Sequence, residues 1–234
     1  MSRIELPFSS GRYKTIEVDP PWKYQDHGYN GFNEVQKYRI HTPYPTMSVH
    51  EIASMGFEID RIAAPAAHVY LWTTKDFILD CGQILSDWGF ENKQIFTWIK
   101  TTKPSALRRS LQASFKSTVL VQLVFKLLRS WGLTGKPVYG MGHWCRNGTE
   151  FLILAARGKL LLSDSRFTTP NYFFAPRGRH SEKPGEAYGL IESLSPGPRI
   201  SLFSRKNRPG WDNWGNEIVQ LDEERQNDPQ RLLF

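Results

Sequence analysis

"TIEVDPPWKY", Thr15 to Tyr24, runs an apolar, β-branched segment straight into an aspartate, two prolines and a tryptophan. Thr15, Ile16 and Val18 read as a short buried strand. Pro20 and Pro21 have no backbone N–H and cannot continue a sheet ladder, so the strand must end with Asp19 at its carboxyl end. In open α/β sheets that edge is where ligands bind.

Outward from this strand the pattern alternates. "AHVYLWTT" (67–74), "QIFTWIK" (94–100), "EFLILAA" (150–156), "NYFFA" (171–175) and "RISLFSR" (199–205) read as further strands. Ser48 and Glu51 form a capping box that predicts a helix over about 48–55. Phe77, Cys81, Ile84, Leu85 and Trp88 share one face of a second helix that Gly89 stops. "PGEAYGLIESL" (184–194) is a third. Alternating strands and helices predict an α/β three-layer sandwich with a mostly parallel sheet. The segment 23–45 is long for a loop in a compact domain, and 221–234 reads as a surface tail or short helix.

The 234 residues suit one domain over 1–234, and the apolar share of 40% is that of a globular protein. The net charge of +7 favours an acidic partner, of which nucleic acid is the commonest. Two cysteines, Cys81 and Cys145, cannot make a disulfide framework, and the six histidines show no metal-ligand spacing. Neither cysteine follows a proline, which disfavours a cysteine-nucleophile mechanism on a pyrimidine ring. The first 14 residues have no apolar signal core, and no apolar run is long enough to span a bilayer. The expectation is a cytoplasmic protein of a bacterial or phage-infected cell, or a nuclear one if the source is eukaryotic.

An exocyclic amine on a base is a poor nucleophile because its lone pair is conjugated with the ring. An enzyme that methylates it must accept hydrogen bonds from the NH₂ group. Asp19 offers a carboxylate and Pro20 a carbonyl of fixed direction, two acceptors side by side. Trp22 then offers a flat face for an extruded base, a contact worth about 1–3 kcal/mol. Such a site requires neither metal nor covalent nucleophile. The same tetrapeptide also reads as a Pro-rich turn closed by a buried tryptophan.

"DPPW", "PYPTMSVHEI", "YLWTT", "FTWIK", "GMGHWCRNGTEFLILAARGK", "APRGRHSEKPGEAYGLIESLSPGPRISLFSR" and "PGWDNWGNE" occur in that order. Together they resemble the MT-A-seventy-like family, the DPPW-type adenine-N6 methyltransferases, over nearly the whole chain except about 104–137. The resemblance implies a circularly permuted Rossmann-like methyltransferase, with the base-binding strand first and the main donor-binding strand near the end. That order accounts for the missing G-x-G-x-x-G after the first strand; Gly140-Met141-Gly142 is the nearest string.

The resemblance further implies S-adenosylmethionine as methyl donor, with Asp19, Pro20, Pro21 and Trp22 as the catalytic motif. Lys183 would pair with the donor's carboxylate, flanked by His180 and Ser181. Phe203, Arg205 and Asn207 carry over to the donor site, Asn207 toward the ribose, and Asn216 with Glu217 to the adenine. The family often has an acidic residue where this chain has Ser201, and a serine accepts ribose hydroxyls only weakly. Trp144, Arg146 and Asn147 match a loop near the target base. Tyr24, Lys100, Arg177 and Arg179 complete the substrate side, the lysine and arginines as a phosphate track. The expected partner is DNA ahead of RNA, with a second copy or a related subunit as protein partner. A catalytically inactive nucleic-acid-binding subunit is the alternative, which the intact Asp-Pro-Pro-Trp and Lys183 disfavour.

Residues 104–137 read as an insertion. They carry Arg108, Arg109, Lys116, Lys126, Arg129 and Lys136 and no acidic residue, with Leu107, Leu111, Phe115 and Leu120 at roughly helical spacing. One or two basic amphipathic helices are expected, the apolar side packed on the domain or on a second subunit and the basic side facing nucleic acid.

Overall fold

The structure, a computed structural model, describes residues 6–8, 10–24, 45–130, 133, 135–140, 145–179 and 182–215. Seven strands form one sheet: β1 (Tyr13–Val18), β2 (Ala63–Thr73), β3 (Glu91–Thr101), β4 (Thr149–Arg157), β5 (Tyr172–Pro176), β6 (Arg199–Leu202) and β7 (Asp212–Trp214). Their order is β5-β3-β4-β2-β1-β6-β7. Four of the pairings are parallel; β4 runs antiparallel to both its neighbours, β2 and β3. The sheet is therefore mostly parallel, as a Rossmann-like methyltransferase fold requires. The reversal of β4 is the departure from a wholly alternating pattern.

Side chains alternate across the sheet, and both faces are buried, so the strands read as nearly continuous apolar runs. Ile16, Val18, Val69, Leu71, Ile153, Ala155, Ile200 and Leu202 point to one core. There they meet helices α1 (Val49–Ala53), α2 (Gly56–Ile62) and α3 (Cys81–Asp87), through Ile52, Ile59, Ile62, Ile84 and Leu85. Tyr70, Trp72, Phe96, Trp98, Leu152 and Leu154 point to the other. They meet Ala187, Tyr188, Ile191 and Leu194 of the helix Gly185–Leu194. Two apolar cores on opposite faces make the three layers, each buried aliphatic contributing about 1.5–3 kcal/mol.

The capping box at Ser48 is present, Ser48 Oγ accepting from the Glu51 N–H at 3.3 Å, but α1 ends at Ala53 and the chain turns at once into α2. The helix whose apolar face was expected to include Phe77 begins only at Cys81. Before it, the Phe77 and Asp80 N–H groups donate three residues back, in turns, and Phe77 is diverted to stack on Trp22. The last large strand ends at Leu202 rather than Arg205, because Phe203 adopts φ of 60° and swings the chain away from the sheet. The segments 25–44 and 216–234 lie outside the described residues.

Between β3 and β4 lie α4 (Pro104–Ser114) and α5 (Thr118–Ser130), which pack on each other. Two helices form, as the spacing predicts, but little of their apolar surface is covered. Leu107 and Val121 are buried, whereas Phe115, Val119, Leu120, Leu123 and Leu127 are exposed. Of the apolar side expected to pack on the domain or on a second subunit, Leu107 is buried, while Phe115 and Leu120 are not covered by the domain. The last helix, Gly185–Leu194, is α6.

Candidate active site

The carboxyl ends of β1 and β6 lie side by side, the Asp19 N–H donating to the Leu202 carbonyl at 3.3 Å. The chain leaves β1 toward the α1–α3 face and reaches β6 from α6 on the other, so a crevice opens between these two strand ends. The prolines stop β1, and the turn is then stapled in place. Pro20 O accepts the Trp22 N–H at 2.9 Å, Pro21 O accepts the Met47 N–H at 2.7 Å, and Met47 O accepts the Lys23 N–H at 2.9 Å. The Pro20 carbonyl keeps one lone pair for another donor.

Trp22 does not present a face to the crevice. Its ring is 5% exposed, stacks on Phe77 at 4.7 Å and donates its indole N–H to the Trp72 carbonyl at 3.0 Å. The base-stacking role expected of it is corrected by burial: the indole closes the Pro-rich turn from beneath. The exposed aromatic here is Tyr24, whose ring meets the edge of Phe77 and whose hydroxyl lies 3.3 Å from Thr74 Oγ1.

Asp19 is the first member of an alternating chain of charges. Lys183, two residues ahead of α6, places Nζ 3.0 Å from Asp19 Oδ1 and 3.0 Å from Glu150 Oε2. Glu150 Oε1 in turn accepts from Lys100 Nζ at 2.6 Å. All four side chains are less than one fifth exposed. The indoles of Trp72 and Trp98 lie beneath the two ammonium groups, each centroid 5.2 Å from its cation. Burial pushes the Asp19 carboxyl up, and Lys183 only partly offsets it. Burial also acts against ionised Glu150, but Lys183 and Lys100 outweigh it and hold that carboxyl below the usual range. Lys183 is buried too, yet its two carboxylate neighbours keep it firmly protonated.

Glu150 is the site residue that the sequence reading missed. Because β4 is antiparallel, its beginning rather than its end lies at the carboxyl edge of the parallel strands, with Glu150 opposite Trp98. Glu17 was missed as well. It faces α6, pairs in register with Ser201, and is fully buried.

Beside Asp19 and Lys183 a narrow, half-open cleft is lined by Glu17, Tyr188, Ser201, Phe203, Arg205 and Arg208, among others. Lys183, Ser201, Phe203 and Arg205 are thus brought together with Asp19 around one cleft. Asn207 is exposed and outside this lining, and the neighbouring Arg208 takes the inward place, its guanidinium 3.4 Å over the Tyr188 ring. Arg177 and Arg179 are exposed on the chain leading to Lys183, and Asn147, next to Arg146, bridges Gly140. His180, Ser181, Trp144, Asn216 and Glu217 lie outside the described residues. Among the described residues no group of three or more His, Cys, Asp or Glu is placed to hold a metal, and no helix is long and apolar enough to cross a membrane.

The MT-A70 family model matches residues 13–125 and 131–217, so the match runs through α4 and much of α5. The type II methyltransferase M.MunI of Mycoplasma sp is 26% identical over 88% of this chain and 78% of its own length. The N(6)-adenosine-methyltransferase MT-A70-like protein of Drosophila melanogaster is 28% identical over 95% of this chain. The N(6)-adenosine-methyltransferase catalytic subunit METTL3 of Homo sapiens is 23% identical over 89%. The chain spans 29% and 28% of the length of these last two. On a match that covers every strand of the sheet and the Asp-Pro-Pro-Trp turn at its edge, the chain belongs to the MT-A70 family.

Proposed function

We propose that the chain transfers a methyl group from S-adenosylmethionine to the N6 amine of adenine in nucleic acid, DNA ahead of RNA. The observation that carries this reading is the placement of Asp19: at the crevice between β1 and β6, tied to Lys183 and open on one side to the cleft. The donor's chemistry fits the cleft's residues. Lys183 spends two of its three N–H groups on Asp19 and Glu150, and the third is available to a carboxylate. Glu17 Oε1, buried and without a hydrogen-bond partner among the described residues, suits a hydroxyl. Phe203 supplies an apolar face. When bound, S-adenosylmethionine supplies an electrophilic methyl group.

The residues of this chain then have separate tasks. Asp19 and the free lone pair of Pro20 O accept the two N–H bonds of the target amine and turn its lone pair out of conjugation. Tyr24, exposed beside Phe77, stacks the splayed base in place of the buried Trp22. Burial raises the basicity of Asp19, which strengthens it as an acceptor, and Lys183 limits that rise so the carboxylate remains available. DNA is preferred because, of the relatives named above, the one whose length this chain mostly spans is the type II methyltransferase.

The test is incubation with adenine-containing DNA and RNA oligonucleotides and isotopically labelled methyl donor, followed by nucleoside mass spectrometry. Labelled N6-methyladenine in DNA, with less or none in RNA, is expected. Label in neither leaves the inactive-subunit reading in its place.

A second expectation concerns α4 and α5. Arg108, Arg109 and Lys116 are exposed on a segment without acidic residues, and we assign them to the nucleic-acid backbone. Replacing all three with Gln is expected to weaken binding to every sequence and flatten the slope of log K against log salt by about 0.9 per lost duplex phosphate contact. Donor affinity and melting temperature stay within error. If the triple variant binds as the parent does at every salt concentration, the exposed stripe of Val119, Leu123 and Leu127 makes contact with a second subunit the better reading.

A further inference from the structure

Glu17 is a carboxylate where a parallel strand ordinarily carries an apolar residue. It is the last residue but one of β1, 0% exposed, and its register partners are Tyr70 of β2 and Ser201 of β6. Ser201 Oγ donates to Glu17 Oε2 at 2.5 Å. The second oxygen, Oε1, has no partner among the described residues. A buried, unpaired acceptor costs about 1–3 kcal/mol, more for a charged group, so it calls for an explanation.

The surroundings supply one. Glu17 lines the cleft with Asp19, Lys183, Tyr188 and Arg208. The charged and titratable groups that face it are Asp19 just past the end of its own strand, Tyr188 from α6, Lys183 ahead of α6 and Arg208 from the loop after β6. Asp19 and Glu150 already take the Lys183 end of the cleft. At the other end an unpaired carboxylate oxygen stands near a guanidinium. A hydroxyl matches that pair, since it donates to one and accepts from the other. Ser201 fixes the orientation of the carboxyl group.

Resting on the methyl-donor reading above, we propose that Glu17 is a donor-site residue whose Oε1 accepts a hydrogen bond from a ribose hydroxyl of the bound methyl donor. In the free chain, burial first and the Asp19 charge second push the Glu17 carboxyl up to about 8, so it is mostly protonated at pH 7. A hydroxyl donating to Oε1 favours the ionised form, and binding therefore releases a proton. The sign for stability follows from the same shift. A raised folded-state value gives stability that is full below the unfolded carboxylate range, near pH 4.5, and is lost as pH rises toward 8.

The experiment is titration calorimetry of S-adenosylhomocysteine into the full chain between pH 6.5 and 8.5, in buffers of different ionisation enthalpy. The parent is expected to release a substantial fraction of one proton at pH 7, with affinity rising up to about tenfold toward pH 8.5. Glu17→Gln abolishes both and flattens the fall of Tm between pH 5 and 8. Adenosine retains the proton release of the parent, and 2′,3′-dideoxyadenosine loses it, an arm that requires no variant. An unchanged proton count in Glu17→Gln, or equal release with dideoxyadenosine, overturns the assignment. Absence of any S-adenosylhomocysteine binding instead overturns the methyl-donor reading itself.

Discussion

Asp19→Asn is expected to lower methyl transfer by about 10²-fold or more while S-adenosylhomocysteine binds within a few-fold of the parent. The substitution keeps the shape of the side chain but removes the negative charge, and it offers an NH₂ group in place of one acceptor oxygen. The target amine needs acceptors, because only an acceptor draws its N–H bonds out of the ring plane. The loss therefore falls on the transition state rather than on donor binding, and kcat drops with little change in donor affinity. Lys183 loses one carboxylate partner but keeps Glu150 at 3.0 Å, so the donor side of the cleft stays charged and in place. Single-turnover methylation with mass-spectrometric readout separates the two effects. Turnover near the parent's value would falsify the acceptor role of Asp19.

The Asp-Pro-Pro-Trp turn could be read from the chain because its physics is local. Two prolines end a strand wherever they stand, and the residue before them is left at the strand's carboxyl end. The two-faced core was legible for a similar reason: β-branched runs separated by helical periods leave few other packings. Glu150 was not legible, because its place depends on the direction of β4, and nothing within "EFLILAA" states whether that strand runs parallel or antiparallel. Run parallel, the same strand would bring Ala156 and Arg157 to the ligand edge. Glu17 was hidden by register: only when β1 and β6 are neighbours does the serine at 201 find a carboxylate beside it. Trp22 failed in the opposite sense. A tryptophan a few residues after a strand end suits a stacking platform or a turn plug equally well, and the choice was made by Phe77, 55 positions away.

Lys183→Met is expected to weaken S-adenosylhomocysteine binding by about 10- to 100-fold, the range that follows from losing one charge-assisted hydrogen bond of roughly 1.5–3 kcal/mol. It also destabilises the fold, and the pH dependence of that loss identifies its cause. Methionine fills a similar volume over Trp72 but leaves Asp19 and Glu150 buried without their shared cation. Removing one partner of such a group costs about 3–5 kcal/mol when the remaining charges are forced to stay. At pH 4 and below, both carboxyls take up protons and little is forced. Glu150, held below the usual carboxylate range by Lys183 and Lys100, contributes stability that is present above its unfolded value and lost on acidification. Without Lys183 that contribution shrinks, and Asp19, already raised, rises further. The Tm deficit of Lys183→Met should therefore be small near pH 4 and grow as pH rises through 5 to 7. Adding Glu150→Gln removes one of the two stranded charges, so the double variant should regain much of the neutral-pH stability yet bind S-adenosylhomocysteine no better. A deficit that is flat with pH, or a double variant that is no more stable than Lys183→Met, would mean that the lysine contributes through packing on Trp72 and not by balancing Asp19 and Glu150.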